Sequence, residues 1–219
     1  MTWSSTPLER LLERAVDPVV GLIKRVTELT IQPGEADLFV AMAEFHDPHA
    51  FAPQAERIDR KLFGSGAHVT RDGALWAAVG EAIERYAGRV YFDEDVVTAA
   101  FLDVADRALD PREMIAFSDE QYDSAGFPFV RFDPKAARGW VKGFDLTNRR
   151  DILVPASSVL LGYGTRTPAE RLDSQYSTGL STGSSFPSAA ASAIREVIER
   201  DAFMCHWYTR TAPKRVDPR

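Results

Sequence analysis

The strongest constraint on this chain is that it writes one segment twice. "AVGEAIERYAG" (residues 78–88) is echoed by "AIREVIERDAF" (193–203), and the match extends well past the shared E-x-x-E-R. At an offset of 115, Gly64 meets Gly179, Thr70 meets Ser185, Ala74 meets Ala189, Glu81 meets Glu196, Glu84 meets Glu199 and Arg85 meets Arg200. Self-similarity at a fixed spacing marks a repeated structural unit. Each copy reads as a glycine-rich loop entering a long helix, with Thr70 and Ser185 as hydroxyl caps for the first unpaired amides. Two such units are predicted to face one another in an α/β (α+β) fold, a pseudo-symmetric pair of loop-helix units packed on mixed or antiparallel sheets. Residues 1–145 carry the first half, and residues 146–219 open the second, repeat-related half.

The rest of the pattern fills in around the repeat. Leu8, Leu11 and Leu12 at helical spacing, closed by Asp17-Pro18, predict a short amphipathic helix over 7–15. "VVGLIKRVTELTI" and "ADLFVAMAEF" read as strands about the turn signal Pro33-Gly34, and a helix is expected from about Asp72 to Ala87. "WVKGFDLTNRRDILVP" gives two strands around a turn at 147–150, whereas residues 93–134 offer no clear order.

The paired carboxylates admit two readings. Glu81 to Arg85 and Glu196 to Arg200 are i,i+4 pairs in the favourable direction, which as surface salt bridges contribute little. Their neighbours argue otherwise: Trp76, Val79, Ile83 and Tyr86 flank one pair, and Ile194, Val197, Ile198 and Phe203 the other. Helices apolar nearly all round are expected to be buried. Buried carboxylates with one Arg per pair need further cation charge. Four converging carboxylates suit Mg²⁺, and the helix N-termini favour phosphate, so Mg²⁺ with a nucleoside triphosphate is the simplest occupant. The glycines either let backbone approach phosphate or form a turn with no ligand.

Composition narrows the alternatives. A formal charge of −6 excludes a broad nucleic-acid surface, which needs clustered Lys and Arg. Cys205 alone permits no intrachain disulfide, and with no signal peptide or apolar span visible the chain is expected in the cytoplasm, away from membrane. "GLSTG" (179–183) matches the G-x-S-x-G elbow of hydrolases, but only His206 follows it, too near to supply that mechanism. "HDPH" (46–49) lacks further metal partners, and Cys205 is expected to serve packing.

"GALWAAVGEAIERYAGRVYF" and "STGLSTGSSFPSAAASAIREVIERDAF" together resemble the two ATP-site segments of the YcaO family, and "VDPVVGLIKRVTEL" is similar to the opening of its azoline-forming members. The resemblance implies ATP- and Mg²⁺-dependent phosphorylation of a backbone amide oxygen in a ribosomally made peptide. Addition of a neighbouring Cys, Ser or Thr then yields a thiazoline or oxazoline. Related members make thioamides or amidines. By position, Glu81, Glu84, Glu196 and Glu199 would bind Mg²⁺ and the ATP phosphates, with Arg85 and Arg200 in support. The family often writes Ser three residues before the first Glu. Here Ala78 and Ala193 stand there, and Ser192 is the nearby substitute in an ATP-binding role. The partners implied are a ribosomal precursor peptide, a separate E1-like, ThiF-related leader-binding protein and a second copy in a homodimer. A further E-x-x-R element and a catalytic tail are expected beyond Arg219, so the chain reads as an incomplete YcaO-like domain. A noncatalytic peptide-binding scaffold is the alternative.

Overall fold

The computed structural model describes residues 6–54, 57, 61–115 and 117–215. Helix α1 (Pro7–Ala15) begins at Thr6, whose hydroxyl accepts from the Glu9 amide while the Glu9 carboxylate accepts from the Thr6 amide. That reciprocal box satisfies two of the helix's orphan donors. Strands β1 (Ile23–Leu29), β2 (Phe39–Phe45) and β3 (Leu62–His68) form one antiparallel sheet in that order, and helix α2 (Arg71–Ala87) packs across β2 and β3. The core between them gathers Leu8, Ile23, Ala41, Ala43 and Phe45 against Ala74, Leu75, Ala78, Val79 and Ala82. Burying a side chain such as the fully enclosed Ile23 contributes about 1.5–3 kcal/mol.

The expected glycine loop before α2 is instead the strand β3. A Cβ on Gly64 would lie 2.3 Å from the Ala82 amide nitrogen, and one on Gly66 2.3 Å from the Ala74 carbonyl. These glycines therefore serve close packing of strand on helix, aided by the small residues Ala74, Ala78 and Ala82 on the facing side. Glycine content signals a loop in sequence, yet here it signals two backbones in contact.

A second antiparallel sheet runs β4 (Val97–Ala100), β5 (Ala137–Asp145), β6 (Arg150–Pro155). Short helices α3 (Phe101–Val104) and α5 (Ala156–Val159) attach to it, α4 (Asp119–Asp123) lies between β4 and β5 in sequence, and α3 packs Phe101 and Val104 on the fully buried Trp140. The Trp140 indole N–H donates to the Ala99 carbonyl at 3.0 Å, so a large apolar body is buried with its one polar atom paired.

The last element, α6 (Phe186–Thr209), starts at Ser185, whose hydroxyl accepts from the Ser188 amide, as Thr70 does from Gly73 in α2. Both caps thus stand where the repeat put them. The expectation that both helices are buried holds for one face of α2 only. No residue of α6 is buried, and Ile194, Val197, Ile198, Phe203, Trp207 and Tyr208 are exposed, because among the described residues no element covers that side. Cys205 is likewise exposed rather than packed. Among the described residues no helix is long and apolar enough to cross a membrane.

Candidate functional site

The chain between β6 and α6 is tied to α2 and its C-cap at two points. The Thr182 hydroxyl donates to the Gly80 carbonyl at 3.0 Å, and the Leu161 amide to the Gly88 carbonyl at 2.8 Å. This tether sets the second repeat unit against the first. A Cβ at Gly80 would stand 3.0 Å from the Thr182 hydroxyl, so the glycine lets the loop approach.

The repeat extends to the hydrogen bonds of its acids. Glu81 accepts from the Ser65 amide (2.5 Å) and hydroxyl (3.0 Å) with one oxygen and from Arg85 (2.7 Å) with the other. Glu196 accepts from the Gly179 amide at 3.1 Å and from Arg200 at 3.2 Å. In each unit the first Glu is pinned between a glycine-rich segment and its own i+4 Arg. Ser65 and Gly179, which supply these amides, were not singled out for that role by the sequence. The nearest signal is the aligned pair Gly64 and Gly179, the first standing one residue before Ser65 and the second, with φ of +87°, making a turn that other residues resist.

The second acids differ. Glu84 has a side chain only 17% exposed and stands 3.9 Å from Arg85, too far for a hydrogen bond. Burial raises its carboxyl to about 7, Arg85 opposes that, and the charges of Glu196 and Glu81 push it further up. Glu84 therefore feels its counterpart unit across the gap. Glu199 and Ser192 are exposed on α6. Among the described residues no three acidic, His or Cys side chains are gathered closely enough to hold a metal by themselves, "HDPH" included. The donor set thus does not fit a protein-only metal cage. It does fit Mg²⁺, which usually takes one or two carboxylates and completes its shell with water and phosphate oxygens.

Two cavities adjoin α2, and none of the four acids is among their lining residues. One of about 770 Å³ lies between α2 and the 181–186 segment, with Trp76, Ile83 and Phe186 in its walls. Another of about 610 Å³ holds Lys61, Arg85 and Arg89. The Ser181 hydroxyl bonds the neighbouring Thr182 carbonyl.

The titration of Glu84 has a measurable consequence. Between pH 4.5, its ordinary value, and about 7, the folded protein keeps a proton that the unfolded chain has lost. Stability from this group therefore falls as pH rises through that window and stays reduced above it. After allowance for solvent screening the loss is about 1–2 kcal/mol. Glu84→Gln is expected to melt about 4 °C above the parent at pH 8 and together with it near pH 4.5, as read by calorimetry without ligands. Equal melting points at pH 8 would contradict this.

Comparison with known proteins places these features in a family. The family model described as YcaO cyclodehydratase, ATP- and Mg²⁺-binding, matches residues 65–219, and the chain belongs to the YcaO family. An uncharacterized protein of Methanothermobacter thermautotrophicus is 28% identical over 165 residues, 75% of this chain and 39% of that protein. Among solved structures, a heterocyclase in complex with substrate and cofactor superposes with a TM-score of 0.78 at 23% identity, over 98% of this chain and 30% of its own. YcaO from Methanopyrus kandleri, bound with AMPPCP and Mg²⁺, gives 0.62 at 20% identity over 90% of this chain and 43% of that one. The chain spans less than half the length of each of these relatives. The two structures share this mixed α/β fold.

Proposed function

We propose that the chain contributes the Mg-ATP clamp of a peptide cyclodehydratase. The carrying observation is that the Thr182–Gly80 hydrogen bond tethers the two repeat units, setting the buried Glu84 of one helix against the like charge of Glu196 on the other, in a family described as ATP- and Mg²⁺-binding. A divalent cation held between them would relieve the repulsion and the burial of Glu84 at once. Glu81 and Glu196, already fixed by amides and arginines, keep the carboxylates oriented, and Ser192, Glu199 and Arg200 line the second helix of the clamp. Arg85, the chain neighbour of Glu84, and Lys61 line one cavity and would supply cationic donors for phosphate oxygens. Bound ATP supplies a phosphoryl group that converts a backbone amide oxygen into a leaving group. Attack by a neighbouring Cys, Ser or Thr on the amide carbon, with departure of that oxygen as phosphate, closes a thiazoline or oxazoline. Sulfide in place of the side chain would give a thioamide through the same activation. The substrate is a ribosomally made precursor peptide, delivered by a leader-binding, ThiF-related partner.

Isothermal titration of the 219-residue chain with Mg-ATP tests the clamp. Saturable binding that disappears when EDTA removes Mg²⁺ is expected. No heat or competition at millimolar Mg-ATP would overturn the reading.

A further inference from the structure

A third cavity, of about 750 Å³, opens on the side of the 157–175 segment, outside the repeat helices. Its floor is unusually well built. Glu170, 3% exposed, accepts from the Gly139 amide (2.7 Å), the Tyr163 hydroxyl (3.0 Å), and the Arg166 (2.5 Å) and Thr167 (3.2 Å) amides, so both its oxygens are used. Gln175 is also spent, accepting from Gly162 and donating to the Tyr163 carbonyl. Two groups are not. One Asp173 carboxylate oxygen is buried with no hydrogen-bond partner. The Ser157 hydroxyl, on a residue 6% exposed, enters no hydrogen bond among the described residues. Burial pushes the Asp173 carboxyl upward, and a neighbouring cation would offset that. Phe129 closes the rim, stacked on Phe117 at 5.2 Å and tied to the cavity by the Val130 amide, which donates to the Arg171 carbonyl. Arg171 itself is exposed and pairs with no acid among the described residues.

A buried carboxylate oxygen, an unpaired hydroxyl and an aromatic rim recognise an organic cation. An ammonium has three donors to distribute and is attracted to a ring face. A metal ion is disfavoured, since no third acidic, His or Cys group joins the two acids among the described residues. Gln175 also lines the cavity that holds Lys61 and Arg85, so a ligand anchored here lies one wall away from the proposed clamp. A peptide spans such a distance and a free amine does not. We infer that this cavity receives a lysine side chain of the peptide substrate, with its ammonium on Asp173 and Ser157, and so gives the enzyme a preference for a basic residue near the cyclised one. The inference deepens the cyclodehydratase reading and rests on it for the ligand being a peptide.

The probe is Nα-acetyl-lysine N-methylamide, titrated without nucleotide into the ¹⁵N-labelled 219-residue chain, against its norleucine counterpart, which keeps the chain length and lacks the charge. Saturable shifts at the amides of Ser157, Gly164, Thr165 and Asp173 are expected with the lysine probe, and affinity at least tenfold lower with norleucine. Asp173→Asn should abolish that difference and Ser157→Ala reduce the lysine affinity about threefold. Equal affinity for the two probes, absence of saturable shifts at those amides, or unchanged lysine affinity in Ser157→Ala would overturn the inference, even if Asp173→Asn does not fold. Because nucleotide is absent, failure here leaves the Mg-ATP titration standing, and failure there leaves this result standing.

Discussion

The double substitution Glu84→Ala with Glu196→Ala is expected to lower Mg²⁺-dependent ATP affinity at least about a hundredfold while raising the melting temperature of the ligand-free protein. The two directions follow from one cause. Without a cation, Glu84 is largely buried and its carboxyl is pushed to about 7 by burial and by the neighbouring acids, so removing that carboxylate relieves a penalty larger than the loss of the part-exposed Glu196 bonds. In the proposed clamp, with a cation and phosphate in place, the same carboxylates would be the hard oxygen donors. Deleting one partner of a buried charge interaction commonly costs 2–5 kcal/mol, and each 1.4 kcal/mol is tenfold in affinity. A structural salt-bridge element behaves differently, because deleting it lowers stability or leaves it unchanged and has no effect on nucleotide. Calorimetric melting beside ATP titrations with Mg²⁺ and with EDTA separates the two. Parental affinity in the double variant would end the clamp assignment.

That opposition between stability and binding is characteristic of sites, which hold groups in arrangements the fold alone disfavours. It also shows which part of the chain could be read without coordinates. The repeat, both caps, α1, the β1–β2 hairpin and the β5–β6 pair rest on local signals such as hydroxyls before helices, apolar periodicity and turn residues. They appear where the sequence put them. β3 reads as a loop in sequence because Gly64 and Gly66 are there for a neighbour, α2, that no local pattern reveals. The burial of α6 was inferred from its apolar composition, but burial depends on what lies opposite, and composition cannot supply that. The pairing of Glu81 with Arg85 was visible as spacing, whereas the amides of Ser65 and Gly179 that complete each anchor come from elements 16 and 17 residues away. Strand β4 and the 93–134 region escaped because their order comes from Trp140 and from ring contacts among Phe117, Tyr122, Phe127 and Phe129.

Glu170→Ala is expected to destabilise the protein by about 3–5 kcal/mol, an effect for which nothing in "TPAERLDSQ" gives warning. Glu170 accepts four hydrogen bonds at 3% exposure, three from backbone amides and one from Tyr163. Through Gly139 it holds the middle strand of the second sheet, and through Arg166 and Thr167 it fixes the turn that leads toward the 173–185 segment. The substitution leaves amides with no acceptor in a region water reaches poorly, and each buried unsatisfied group costs about 1–3 kcal/mol. Part is regained as the Tyr163 hydroxyl and loop amides shift to water, which keeps the total below the sum. Glu170→Gln is a sharper probe, since it preserves volume and one acceptor but turns an amide N–H₂ toward the Arg166 and Thr167 donors. It should fall between parent and alanine in urea unfolding. Burial and the Glu170 charge both hold the Tyr163 hydroxyl in its protonated form, so either variant should let that phenol ionise at lower pH, visible as ultraviolet absorbance of tyrosinate. A stability within 1 kcal/mol of the parent for Glu170→Ala would show that these four bonds are not what holds the second sheet to the segment approaching α6.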